Sequence, residues 1–227
     1  MPQAEILSLE HFVPDAVAFI EQAATEAIAS RGEFRLSLSG GGTPAPVYAA
    51  LAKRPLDWNQ VIVTFGDERM VPADHEESNF RMARETLLGQ IDIPEANVLR
   101  MRGELDPAEA AKAYEQALRE KAGPEGIFRH DLILLGLGGD GHTASLFPES
   151  KGLTEQDRWV IPNFVEKFDT WRLTFTYPLL NAARAVAFLL RGDGKKEVAE
   201  EVRQGQNNHP AIGVQPTDGR LFWLMGN

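Results

Sequence analysis

Apolar residues recur at three- and four-residue steps near the start of the chain, at Val13, Val17, Ile20, Ala24 and Ala27, which predicts an amphipathic helix over roughly residues 13 to 30. Gly32 ends it. The period then shortens, because Arg35 to Ser39 alternates polar and apolar as a half-buried strand does. A helix-forming run from Pro46 to Lys53 follows, and Val61-Ile62-Val63-Thr64-Phe65 reads as a buried strand. Ser78-Asn79 supplies a cap for a helix running towards Leu88, and Ala108 to Ala122 is a second clear helix. Leu132 to Leu137 predicts another buried strand. Further on, Trp171, Leu173 and Phe175 alternate with Arg172, Thr174 and Thr176 in a half-buried one. Arg184 to Leu190 gives a strand, Lys195 to Gln204 a helix, and Leu221 to Leu224 a last short strand.

Strands interleaved with helices predict an α/β fold of three layers, a mostly parallel sheet with helices on both faces. Without a linker-like composition shift, an internal repeat or a low-complexity tract, residues 1–227 are expected to form one domain, and 43% hydrophobic residues can bury a real core. The order of elements has a functional consequence. A Gly-rich loop at 40–42, the triplet Asp67-Glu68-Arg69 and an Asp-Gly-His loop at 140–142 all follow the C-terminal ends of predicted strands, where open α/β sheets bind ligands.

Composition narrows the classes. A formal charge of −10 argues against a surface that neutralises nucleic-acid phosphates, so any anionic ligand must be held by individually placed cations. No stretch approaches the eighteen or so apolar residues of a membrane helix, and the N-terminus has no basic region before an apolar one, so no membrane association is expected. The absence of cysteine removes disulfides, thiolate nucleophiles and cysteine-ligated metals, and fits a reducing, cytoplasmic setting.

Ser39-Gly40-Gly41-Gly42-Thr43-Pro44 turns from a strand into a helix, where unpaired N–H groups suit a phosphate, or where the glycines simply make a tight turn with Thr43 as cap. It is not a Walker loop, having no Gly-Lys-Ser/Thr. Asp67-Glu68-Arg69 offers acids and a cationic clamp, against the alternative of a surface salt bridge. Gly136 to Gly141 formally satisfies the dinucleotide fingerprint, but Pro148 follows too soon and no acid ends the next apolar run. His142 can take a proton from water and return it to a leaving group, with Asp140 holding or polarising it. The five histidines show no metal-binding spacing, and His75 reads as structural or exposed. Arg172 and Lys195 are further candidate anion ligands.

Together, Ser39 to Pro44, Asp67-Glu68-Arg69 with Val71-Pro72, Asp74-His75 and Ser78-Asn79, and Gly136 to Pro148 resemble the 6-phosphogluconolactonases, in order and over most of the chain. The string Asp140-Gly-His-Thr-Ala-Ser-Leu-Phe-Pro148 is the most specific part. The chain is also similar to glucosamine-6-phosphate deaminases, which continue Asp-Gly-His with Ile-Ala-Phe-Asn-Glu-Pro and usually carry Tyr after the Asp-Glu pair. Here Phe147 stands in place of that glutamate and Arg69 in place of that tyrosine. The resemblance implies a fold like that of the deaminases and of ribose-5-phosphate isomerases. It implies hydrolysis of 6-phospho-D-glucono-1,5-lactone without metal or cofactor, with a small sugar-phosphate lactone as the partner molecule and no obligate protein partner. His142 would activate water, Asp140 would orient or charge-balance it, and Gly41, Gly42, Thr43 and Arg69 would hold the phosphate, with Arg172 and Lys195 near the ligand and Asp67 and Glu68 lining the site. Many members have Ser where Gly42 stands, and Met70 occupies a position often taken by Cys or Trp. Rival readings are a deaminase-like isomerase, a non-catalytic sugar-phosphate sensor, for which no helix-turn-helix is found, and a nicotinamide-dependent oxidoreductase resting on the weak fingerprint alone.

Overall fold

A computed structural model describes residues 4–123 and 126–226. Six strands run parallel in one sheet: β1 (Ala4–Leu9), β2 (Phe34–Leu38), β3 (Val61–Phe65), β5 (Leu132–Leu135), β8 (Ala185–Arg191) and β9 (Arg220–Gly226), in the spatial order β1-β9-β8-β5-β2-β3. The apolar run Leu132-Ile-Leu-Leu135 lies at the middle because it faces a core on each side. Leu132 and Leu134 pack with helices α1 (Phe12–Arg31) and α2 (Ala45–Leu51) and with Ala83 of α3 (Asn79–Thr86), whereas Ile133 and Leu135 pack with α4 (Pro107–Glu120), α5 (Tyr177–Asn181) and α6 (Lys196–Arg203). The three-layer α/β architecture is as the hydrophobic pattern predicts.

One charged segment departs from expectation. Asp67–Arg69 is not a loop but a short strand, β4, which pairs antiparallel with β7 (Thr170–Phe175), and β7 pairs in turn with β6 (Val160–Val165) in a second sheet of three strands. Three consecutive charged residues conceal a strand whose first two side chains are buried yet fully hydrogen-bonded. The alternation along β7 is also broken: Trp171 is exposed, while Thr174 and Thr176 are buried. Thr174 Oγ1 accepts from Ser145 N (3.1 Å), so the polar face of β7 is turned against the loop after β5 rather than towards water.

Candidate active site

The crease between the two sheets opens as a cleft of about 300 Å³, and the C-terminal ends of β2, β5 and β8 all feed it. Its lining includes Gly40 to Pro44, Asp67, Arg69, Gly136 to Gly138, His142, Arg172 and Lys195. A larger hollow of about 520 Å³ beside α4 is mainly apolar and brings no histidine to its walls.

Tight backbone contacts hold the loops in place. At Gly40 a Cβ would fall 1.8 Å from Asn79 Oδ1, and Asn79 in turn donates to the Asp67 carbonyl (3.0 Å) and Oδ1 (3.1 Å), so the Gly-rich turn, β4 and α3 lock together. Gly41 takes φ 101°, open to glycine alone at low cost. Thr43 makes no cap: Pro44 occupies that position, without a side-chain bond.

In the loop after β5, His142 lies across Gly138, where a Cβ would sit 2.0 Å from the ring Nδ1. That nitrogen meets Asp140 Oδ1 at 2.5 Å, and Lys167 Nζ from the β6–β7 turn reaches Asp140 Oδ2 at 3.0 Å. Burial would raise the Asp140 carboxyl, but the bonds from His142 and Lys167 outweigh it and hold the group well below the usual carboxylate range. An ionised Asp140 only accepts, so Nδ1 is the donor of this contact, which leaves Nε2 as the nitrogen that can exchange a proton with a ligand. Behind the imidazole, Phe147 stacks at 4.0 Å between centroids and 20° between planes, an apolar wall that offers no competing proton site.

The cations are arranged with equal economy. Arg69 and Arg172 face each other directly across the β4–β7 ladder, and the Nε atom of each is buried without a partner. Burial and the neighbouring Arg69 charge both lower the Arg172 pKa. Like charges opposed on one face are unfavourable unless an anion sits between them. Arg69 Nη1 donates to the Glu77 carbonyl (2.5 Å), and Lys195 Nζ donates to the Leu137 carbonyl (2.7 Å), one residue before Gly138.

A model of the family described as glucosamine-6-phosphate isomerases/6-phosphogluconolactonase matches residues 8–223. The chain belongs to this family. Among family members it is 43% identical to a 6-phosphogluconolactonase of Synechocystis sp., over 99% of this chain and 95% of that protein. With the 6-phosphogluconolactonase of Homo sapiens it shares 39% identity over 86% of this chain and 79% of the other. The fold is similar to the crystal structure of 6-phosphogluconolactonase from Thermotoga maritima, with TM-score 0.89 and 30% identity over 99% of this chain and 100% of that one.

Of the candidate residues carried by the family resemblance, Gly41, Gly42, Thr43, Asp67, Arg69, His142, Arg172 and Lys195 line one cleft, and Asp140 stands directly behind His142. Glu68 does not line it, which corrects the expectation. Its carboxylate accepts from Asn79 N, Phe80 N and Arg69 N (each 2.8 Å) and from Ser78 Oγ (3.1 Å), and so serves the start of α3. Burial pushes this carboxyl above its usual range, against the pull of those backbone N–H groups. Asp67 is buried as well and accepts from Ser145 Oγ at 2.7 Å. Arg191, at the end of β8, also lines the cleft. The strand-end rule that singles out the other loops would have found it. Nothing in the sequence marks Lys167, 27 residues from its partner.

Proposed function

We propose that this chain hydrolyses 6-phospho-D-glucono-1,5-lactone to 6-phospho-D-gluconate, the reaction of the oxidative pentose phosphate pathway, with His142 as general base. The observation that carries the reading is the short Asp140–His142 contact in the cleft that also holds the opposed arginine pair Arg69 and Arg172. His142 Nε2 takes a proton from water as its oxygen bonds to the C1 carbonyl carbon, and the carbonyl π electrons move onto oxygen. The resulting tetrahedral intermediate collapses by breaking the bond from C1 to the ring oxygen. The imidazolium returns its proton to that departing alkoxide, leaving a carboxylic acid that ionises to the product carboxylate. Asp140 stabilises the imidazolium in between, as an ionised carboxylate at hydrogen-bond distance does. No covalent intermediate is required for so activated an ester.

Arg69 and Arg172 take the phosphate between them, aided by the N–H groups of Gly41, Gly42 and Thr43 and by the Lys195 ammonium. The site needs no metal or cofactor in this reading. Phe147 disfavours the deaminase alternative, since a phenyl ring cannot relay a proton. A cytoplasmic location belongs to the same proposal, resting on a cysteine-free sequence. Among the described residues, no helix is long and apolar enough to cross a membrane. The deciding experiment follows hydrolysis of freshly generated lactone, corrected for spontaneous opening, with wild type and His142→Ala. Wild type is expected to exceed the variant by roughly 10²–10⁴-fold in kcat. Equal corrected rates would sink the mechanism.

A further inference from the structure

The Asp140–Gly141 peptide is gripped by a segment that does not line the cleft. His209, in the segment after α6, lays its ring on Gly141, where a Cβ would fall 2.2 Å from the ring Nδ1. The same Nδ1 reaches the Asp140 carbonyl at 3.2 Å, and Nε2 meets Glu201 Oε2 at 2.7 Å. Two residues on, Ala211 N donates to the Gly141 carbonyl (3.0 Å). Both carbonyls flanking the Asp140–Gly141 turn are thus tied to residues 209–211. Gly141 itself holds φ 74°, a conformation that any other residue would strain to keep.

We propose that His209, set by Glu201, is a positioning residue that fixes the angle at which Asp140 presents its carboxylate to His142. The proposal rests on the lactonase reading. Its chemistry follows from the acceptors: the Asp140 carbonyl and the Glu201 carboxylate each face one ring nitrogen, so the two ring positions hold two different partners. The dyad contact at 2.5 Å tolerates little rotation of the Asp140 main chain, because the carboxylate moves with its Cα and the His142 ring is pinned over Gly138. Helix α6 therefore touches the reacting loop at both of its ends. Lys195, just before its first residue, holds the Leu137 carbonyl, and Glu201 acts near its last turn through His209. The helix ties the cation beside the ligand to the acid behind the base.

The two nitrogens can be tested separately. In His209→Asn the amide nitrogen takes the place of Nδ1 and keeps the bond to the Asp140 carbonyl, whereas in His209→Gln it takes the place of Nε2 and keeps only Glu201. The full-length protein is assayed with freshly generated 6-phosphogluconolactone. The Asn variant should stay within about threefold of wild-type kcat and the Gln variant should fall roughly tenfold at unchanged KM, inside the hundredfold that a misplacement of about 1 Å can cost. A role confined to fold stability would lower Tm in both without separating their kcat values. Equal kcat in the two variants, whether high or low, overturns the proposal. A second readout is independent of turnover: the downfield Nδ1 proton of the Asp140–His142 contact, identified by its absence in His142→Ala, should persist in the Asn variant and weaken in the Gln variant. The same signal in both variants also overturns the proposal. Wild-type protein that does not exceed spontaneous opening would instead overturn the lactonase reading, and the proton signal would still judge the clamp.

Discussion

Gly138→Ala tests the site through a single methyl group. Gly138 does not lie at positive φ, so alanine suits its backbone and the conflict is steric alone. The new Cβ would sit 2.0 Å from His142 Nδ1, 2.2 Å from Cε1 and 2.7 Å from Asp140 Oδ1, whereas ordinary contact begins near 3.4 Å. The imidazole must retreat by about 1.4 Å, more than the displacement of about 1 Å that can cost a hundredfold in rate. Phe147, stacked at 4.0 Å on the ring, closes one direction of escape, so the Asp140 bond at 2.5 Å must break. We expect kcat to fall by at least about a hundredfold, up to the roughly 10⁴-fold ceiling for losing a general base, with KM little changed because Arg69 and Arg172 are held on β4 and β7, away from the clash. The assay is steady-state lactone hydrolysis for Gly138→Ala, His142→Ala and the double variant. With the ring gone, the methyl group meets only the Asp140 carboxylate, which is free to turn into the space the ring leaves, so Gly138→Ala should cost nothing further in the His142→Ala background. An additive loss there, or a near-wild-type kcat for the single variant, would refute the claim that Gly138 is small to seat His142.

Asp140→Asn should fall about a thousandfold or more in kcat at similar KM. Its amide donates to Nδ1, moves the ring proton to Nε2 and removes the lone pair that takes the water proton, a change that steady-state kinetics would register. Arg172→Met should raise KM about tenfold or more with a smaller change in kcat, and should weaken the protection that 6-phosphogluconate gives against thermal unfolding. Burial, reinforced by the nearby Arg35 charge, lowers the His130 pKa to about 3, so the native state refuses a proton that the unfolded chain accepts below about 6.5. Stability from this group is complete above pH 6.5 and is lost as pH falls towards 3, by about 2 kcal/mol already at pH 5. Urea titrations of wild type and His130→Gln at pH 7.5 and 5 should therefore show a smaller pH difference in the variant. Equal differences would contradict a buried neutral His130.

What the sequence revealed, and what it hid, divides along physical lines. Buried parallel strands announce themselves as continuous apolar runs, and β3 and β5 were legible for that reason. The edge strand β1 has a shallow alternation with only intermediate burial, and β6 carries Pro162 and Asn163, which argue against a strand in general but are tolerated at a sheet edge. The cleft was legible wherever a motif ends a strand, at Gly41, Arg69 and His142. Lys167 and His209 were not, since each reaches the Asp140 loop through a tertiary contact with no local pattern. Glu68 shows the opposite failure. Its place between Asp67 and Arg69 suggested a ligand group, but strand alternation turns its carboxylate away from the cleft and into the start of α3.

A chain of formal charge −10 that binds a phosphate dianion must separate its local field from its overall one. At physiological salt the Debye length is about 8 Å, so a ligand in the cleft feels mainly its walls. Those walls carry Arg69, Arg172, Arg191 and Lys195 against the single carboxylate of Asp67, whose oxygens already accept from Ser145 and Asn79. The other acid close to the chemistry, Asp140, is balanced on its outer oxygen by Lys167. That placement reconciles two demands on one carboxylate. In the proposed mechanism Asp140 is ionised to hold the His142 tautomer and to stabilise the imidazolium, yet a bare anion beside the lactone would repel the phosphate. Lys167 favours the ionised form and cancels much of its field beyond the dyad, so the base keeps its partner while the cleft remains cationic.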